Sequence, residues 1–427
     1  MISRTRPPED AYVWIWLPEA TDPVVAGRLE RSDNLLIFNY GRSYLAREQA
    51  IPIYEPELPL KRGVLPPPIG MAMPSSIRDA SPDAWGRRVI TSRLLGRTDQ
   101  NADPAQLDEL TYLLESGSDR IGALDFQTSP KKYLARMQRA ATLDELSTAA
   151  ERVEQGIPLT PELDQALLHG SSIGGARPKA MIEDGETKYI AKFSAQSDFY
   201  SVVKAEFIAM RLGSLAGLDA ASVKLAHAAG KDVLLVARFD RKKTADGWHR
   251  YAMVSALTLL GLDEMMARYA SYEELATIIR HRFASPKRML RELFSRLSFN
   301  ILCGNTDDHA RNHAAFWDGL DLRLTPAYDI CPQARTGNEA SQAMLITGQS
   351  RLSKIAICLA ALPAFQLSQA EATSIIVHQI KVIRDRWSDV CDEAALSTID
   401  RRNLWRRQFL NPSIFEGAPD EIVALRD

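Results

Sequence analysis

Residues 303–330 read C-G-N-T-D-D-H-A-R-N-H-A-A-F-W-D-G-L-D-L-R-L-T-P-A-Y-D-I, and the rest of the chain is organised around them. The stretch sets Asp307, Asp308, Asp318, Asp321 and Asp329, with two histidines and two asparagines, between apolar segments. Asp307 and Asn312 stand as D-x-x-x-x-N. A protein-kinase catalytic loop uses that spacing, with the Asp as base for the acceptor hydroxyl and the Asn on magnesium. Two apolar runs follow, Ala314–Trp317 and Leu320–Thr325, hinged at Asp318-Gly319, which predicts a hairpin. Asp329 then follows Ala327-Tyr328, where a kinase carries its second magnesium aspartate. Taken alone, D-x-x-x-x-N recurs by chance, and an Asp/His cluster also suits a metal hydrolase or a solvated, capped loop. The hairpin and Asp329, in this order, favour phosphoryl transfer. Asp308 is the alternative base, but only Asp307 has the spacing to Asn312. His309 has two readings: it contacts phosphate and orients the loop, or it holds its own backbone together.

Composition narrows the class. The chain has 427 residues, 45% hydrophobic and 25% charged, which describes an ordinary globular protein of two or three domains. The longest nearly apolar run, Ala252–Leu262, is far short of a membrane span, and no secretory leader pattern opens the sequence. The four cysteines (303, 331, 358 and 391) lie in apolar company without metal-ligand spacing, so they read as reduced core thiols of a cytoplasmic protein. A formal net charge of −2 argues against gripping nucleic acid directly; DNA would be reached through a partner.

Towards the N-terminus, Ala11–Leu17, Val24–Leu29, Leu35–Tyr40 and Ser43–Ala46 are strand-like, and a proline-rich exit follows at Pro52–Pro68. Ser81-Pro82-Asp83 opens a helix that Gly96 closes, and another helix is expected around Pro104–Leu114. Thr142-x-x-Glu145 is a capping box, and Thr160-Pro161-Glu162 opens a further helix ended by Gly170. Ser171–Lys179 (S-S-I-G-G-A-R-P-K) is small, rich in backbone donors and carries two cations, suited to wrap phosphate. Lys179–Ile182 and Lys188–Phe193 form a predicted hairpin with Lys192 on one face of its second strand, and Glu206 lies on the next helix. A kinase assembles such a lysine and glutamate into an ion pair. Asp232–Phe239 is a buried-type strand leading to Asp240, placed where a kinase hinge meets adenine. Beyond it the chain turns helical: Tyr272–Phe283, Met289–Leu302, and a helix capped by Ser368-x-x-Glu371.

With these motifs in order, the chain resembles the HipA family of serine/threonine-kinase toxins over nearly its whole length. Gly27-Arg28-Leu29, Tyr40–Leu45 and Pro82–Arg87 are similar to the family's N-terminal domain. Ser172, Ile173, Gly174, Gly175 and Ala176 through Lys179 resemble its phosphate-binding loop, where the serine at the Ser172 position is an autophosphorylation site; Ser171 is the local competitor. Gly304–Asn312 is similar to its catalytic loop and Ala327-Tyr328-Asp329 to its metal-binding segment. Ala237 replaces a common hinge glutamate, and Arg311 a common lysine. The resemblance implies an α+β, two-lobed protein-kinase-like fold: a small β-rich N-terminal module (1–120), an N-lobe (121–240) and a mostly helical C-lobe (241–427). It implies ATP and Mg²⁺ as cofactors. ATP would be held by Ser172–Ala176, Lys179, Lys192, Arg238, Phe239, Asp240, His309, Arg311, Asn312 and Tyr328, and the metal by Asn312 and Asp329. Asp307 would be catalytic. It further implies a protein substrate, aminoacyl-tRNA synthetases being known family targets, and a helix-turn-helix antitoxin that carries the contact with DNA. The rivals are a small-molecule kinase on the same lobes and an inert module that holds a DNA-binding partner.

Overall fold

A computed structural model describes residues 7–95, 107–136, 141–155, 157, 159, 160, 163, 167, 177–195, 198, 200–335 and 337–426. The chain divides into two compact units: Met1–Ser197 with Ala226–Val254 and Phe316–Leu320, and Asp198–Leu225 with Ser255–Ala315 and Asp321–Asp427.

The first unit opens with strands β1 (Asp10–Ile15), β2 (Val24–Ser32), β3 (Leu35–Tyr40), β4 (Val64–Leu65) and β5 (Leu124–Gln127), in the order β4-β3-β2-β1-β5. Alternation along β1 and β3 turns Ala11, Val13, Leu36 and Phe38 into one core. Gly27 is required where β2 crosses β3, because a Cβ there would lie 2.1 Å from the Asn39 carbonyl oxygen. Ser43–Ala46 does not continue this sheet as strand. Residues Arg42–Leu45 form one helical turn, since Tyr44 buries its ring against Tyr40, stacked at 5.6 Å, and its hydroxyl donates to Ile51 O at 2.7 Å. Helix α1 (Ala84–Leu95) follows, then α2 (Glu109–Glu115), capped by Asp108, and α3 (Leu143–Glu154), opened by the Thr142/Glu145 capping box.

A second sheet of the first unit is built from β6 (Lys179–Asp184), β7 (Thr187–Phe193) and β9 (Lys231–Ala237), with β8 (Val223–Ala228) at its edge in the order β6-β7-β9-β8. Ala180, Ala191, Phe193 and Val233 pack with Trp85 and α3 residues Leu146 and Ala149. The hairpin of β10 (Arg241–Thr244) and β11 (Gly247–Arg250) and strand β12 (Ala252–Ser255) follow.

The second unit is mainly helical: α4 (Val202–Leu215), α5 (Tyr272–Arg282), α6 (Pro286–Cys303) and α7 (Gln369–Glu393). Helix α6 buries every residue from Leu297 to Cys303, as expected of a central helix. Helix α7 starts at the Ser368/Glu371 capping box read from the sequence. The predicted hairpin is present as β13 (Ala314–Trp317) and β14 (Leu322–Leu324). Its tip belongs to the first unit, where the Trp317 indole donates to Pro52 O at 2.9 Å. Among the described residues no helix is long and apolar enough to cross a membrane.

Candidate active site

In the second unit, α6 delivers the chain to a loop closed by its own hydrogen bonds. Gly304 ends the helix at φ +72°, and a Cβ there would sit 2.7 Å from the Gln408 carbonyl oxygen, so only glycine fits. Asn305 folds back on the helix, its amide donating to Asn300 Oδ1 at 3.1 Å. The Asp307 carbonyl then accepts from His309 N at 2.9 Å and from Asn312 Nδ2 at 3.1 Å, and Asn312 N donates to His309 O at 2.8 Å. The D-x-x-x-x-N spacing is thus the span of one closed turn. Asp307 itself is exposed, yet protein packed about its carboxyl raises its pKa; Asp329 and Asp308 add to that, while His309 opposes it.

Asp308 points the other way. It is buried, ion-paired to His313 Nε2 at 3.0 Å, and accepts the hydroxyl proton of buried Tyr272 from α5. Burial pushes the Asp308 carboxyl up, but His313 and the hydrogen bonds from His313, Tyr272 and Asn300 outweigh it and hold it low. The Tyr272 phenol is driven well above its usual range by burial and by Asp308. Buried and paired on both oxygens, Asp308 is turned away from solvent, where an acceptor hydroxyl would arrive.

Asp329 takes the left-handed conformation, φ +60°, which aspartate tolerates better than most side chains. The residues before it are pinned: Ala327 N donates to Asp219 O at 2.6 Å, and Ala221 N to Ala327 O at 2.9 Å. The Tyr328 hydroxyl donates to Arg311 O at 2.7 Å, tying this segment to the 307–312 turn, and Arg311 pairs with Glu264 at 2.6 Å. Asn312 uses Nδ2 to donate to the Asp307 carbonyl, so the hard oxygen that it brings is Oδ1, and Asp329 brings a carboxylate. That donor set fits magnesium, which takes one or two protein oxygens and completes its shell with phosphate and water. Among the described residues no group of three or more His, Cys, Asp or Glu is arranged to hold a metal.

In the first unit, Lys179 on β6 stands directly opposite Lys192 on β7. With Ala180, Ala191 and Phe193 turned into the core, alternation puts both lysines on the other face of the sheet. Lys179 is buried, and its carbonyl accepts from the Trp85 indole at 3.0 Å. Ser172, Ile173, Gly174, Gly175 and Ala176 lie outside the described residues. Glu206 is buried on α4, in the second unit, whereas Lys192 belongs to the first.

The expected hinge stretch contains a buried ion network that the sequence reading did not find. Arg238 pairs with Asp240 at 2.8 Å and Asp119 at 3.1 Å; Arg241 pairs with the same two carboxylates, each at 2.9 Å. Asp119 also meets Lys188 at 2.7 Å. Burial alone would raise Asp119, but Arg238, Arg241 and Lys188 hold it well below the usual carboxylate range. Burial and the neighbouring Arg238 push Arg241 down to about 9 despite Asp240. The Arg238 N–H donates to Lys188 O at 2.8 Å and Asp240 O accepts from Tyr251 N at 3.0 Å, so backbone groups here are occupied too. Phe239, half-buried between them, meets Phe316 edge-on at 6.0 Å. Asp119 and its arginines lie some 120 positions apart, and no local pattern announces such a pairing.

Comparison with known proteins agrees with this architecture. Residues 17–127 match the HipA N-terminal domain and residues 171–387, more than half of the chain, match the HipA-like C-terminal domain. A Sinorhizobium fredii protein named "Putative kinase Y4mE" is 28% identical over 320 residues, spanning 69% of this chain and 71% of that one. The serine/threonine-protein kinase toxin HipA of Shewanella oneidensis is 26% identical over 160 residues, 33% of this chain and 36% of that one. Among solved structures, a Shewanella oneidensis complex of HipA, HipB and operator DNA is similar over 97% of this chain and 99% of the matched chain. The identity is 19% and the TM-score 0.69, a likeness of fold. With both domains matched in order and the α+β kinase-like fold shared end to end, this chain belongs to the HipA family.

Proposed function

We propose that this protein is an ATP-dependent serine/threonine kinase of the HipA toxin type, moving the γ-phosphoryl group to a hydroxyl of a cellular protein. The observation that carries the reading is the closed turn from Asp307 to Asn312, with Asp329 near enough to raise the Asp307 pKa. Base candidate and metal-ligand candidates therefore share one small region. Asp307 orients the acceptor hydroxyl and takes its proton; its raised basicity suits that task. Asn312 Oδ1 and Asp329 would hold magnesium, which would neutralise charge on the phosphates. Tyr328 and Arg311 keep the two segments in register, and His309 moderates the charge at Asp307. Lys179 and Lys192, side by side on one sheet face, meet the phosphates under the loop Ser172–Ala176. Arg238, Phe239 and Asp240 back the nucleotide through the stiff strand end, their charges being spent within the network. Phosphorylation of Ser172 would add about −1.5 to −2 charges among those cations and switch the enzyme off.

A helix-turn-helix antitoxin is the proposed partner, DNA being contacted through it; the HipA–HipB–operator complex of the structural neighbour supports this. The test is incubation of purified protein with a bacterial lysate and γ-labelled ATP. Label entering protein bands on serine or threonine is expected; label confined to small molecules refutes the protein-kinase reading.

A further inference from the structure

Arg335 is the arginine that the network logic of this protein leaves unexplained. Buried Arg120, Arg238 and Arg241 are each matched by a carboxylate at 3.0 Å or less. Arg335 is not: its Nε, Nη1 and Nη2 are all sheltered from solvent and meet no acceptor among the described residues. Among the described residues no other side chain combines three such nitrogens. Burial lowers its pKa, and among the described residues no carboxylate opposes the shift. The residue does not sit on a loose tail. Before it, Tyr200 donates to Pro332 O at 2.9 Å and Gln333 N to Gly304 O at 3.0 Å; after it, Ser413 donates to Asn338 O. Arg335 thus follows Asp329 by six positions and lies two residues from a bond to the glycine that begins the catalytic loop.

A sheltered guanidinium without a counter-charge is costly, and proteins retain such groups where function needs them. Its planar fork suits two oxygens of a phosphate. We propose that Arg335 receives a phosphoryl group, and its place beside the catalytic loop favours the terminal phosphate of bound nucleotide as the source. The choice of source rests on the kinase reading above; the anion site itself does not.

The experiment compares wild type with Arg335→Met, which keeps the stem and removes the charge, and Arg335→Lys, which keeps the charge without the fork. Thermal melts without ligand are combined with calorimetric titrations of ATP, ADP and inorganic phosphate. Expected for Arg335→Met is an unchanged or higher melting temperature and an ATP affinity weakened about 10-fold or more. ADP should lose less, and Arg335→Lys should fall between. A lower ligand-free melting temperature, or wild-type affinity for all three ligands, overturns the proposal; so does a wild type that binds neither nucleotide nor phosphate. If wild type binds phosphate through Arg335 but no nucleotide, the anion site stands and the kinase reading falls.

Discussion

Asp307 and Asp308 are chain neighbours of identical chemistry, and their surroundings assign them opposite duties. Asp307 is exposed above a turn closed on its own carbonyl, while Asp308 is buried beneath it between Tyr272 and His313. The sequence already carries this division as a doubled spacing: Asp307 to Asn312, then Asp308 to His313 one position on. The first pair is legible as a motif, whereas the second depends on burial, which the spacing alone does not announce. Breaking a buried pair strands its partner, so Asp308→Ala should cost about 3–5 kcal/mol, read from urea unfolding. A loss under about 1 kcal/mol would mean that the pair is not what holds the loop. Arg335 offered no signal in sequence at all: a single arginine three residues after Pro332 has no period and no partner to betray it.

Elements were legible where local chemistry decides them. The capping boxes at Thr142 and Ser368 and the Asp318-Gly319 hairpin rest on residues within a few positions of one another, and all three are present. Ser43–Ala46 reads as strand from its residue types, but the packing of Tyr44 on Tyr40 bends it into a helical turn; tertiary contact overrode propensity. The end of α6 is the element boundary on which the proposed catalytic loop depends. Gly304→Ala meets both a left-handed backbone and the Gln408 carbonyl 2.7 Å away. The backbone penalty alone is about 1–2 kcal/mol. Chemical denaturation should show at least that loss. Kinetic measurement should show reduced turnover, because the loop start must shift. An alanine variant of wild-type stability would contradict the glycine argument.

At the scale of the whole molecule, the first unit depends on charge pairs that link Asp119 to residues far along the chain, beyond the reach of sequence periodicity. Their pH dependence has a definite sign. Asp119 is held below its unfolded value of about 3.9, so its contribution is present at neutral pH and is lost as pH falls through that value towards the lower folded one. Thermal melts should therefore show Asp119→Asn well below wild type at pH 7, with the gap closing as pH drops below about 4. A gap that stays constant with pH would detach the network from the stability of this unit. In cells, expression of the wild-type chain alone should slow bacterial growth and Asp307→Asn should relieve it; equal growth at equal protein level would oppose the toxin reading. The central claim, phosphoryl transfer through Asp307, is tested most directly by single-turnover transfer from γ-labelled ATP alongside ATP titration, for wild type and Asp307→Asn. The account predicts a rate loss of about 10²–10⁴ with ATP affinity nearly unchanged. Transfer at the wild-type rate in the variant would contradict it.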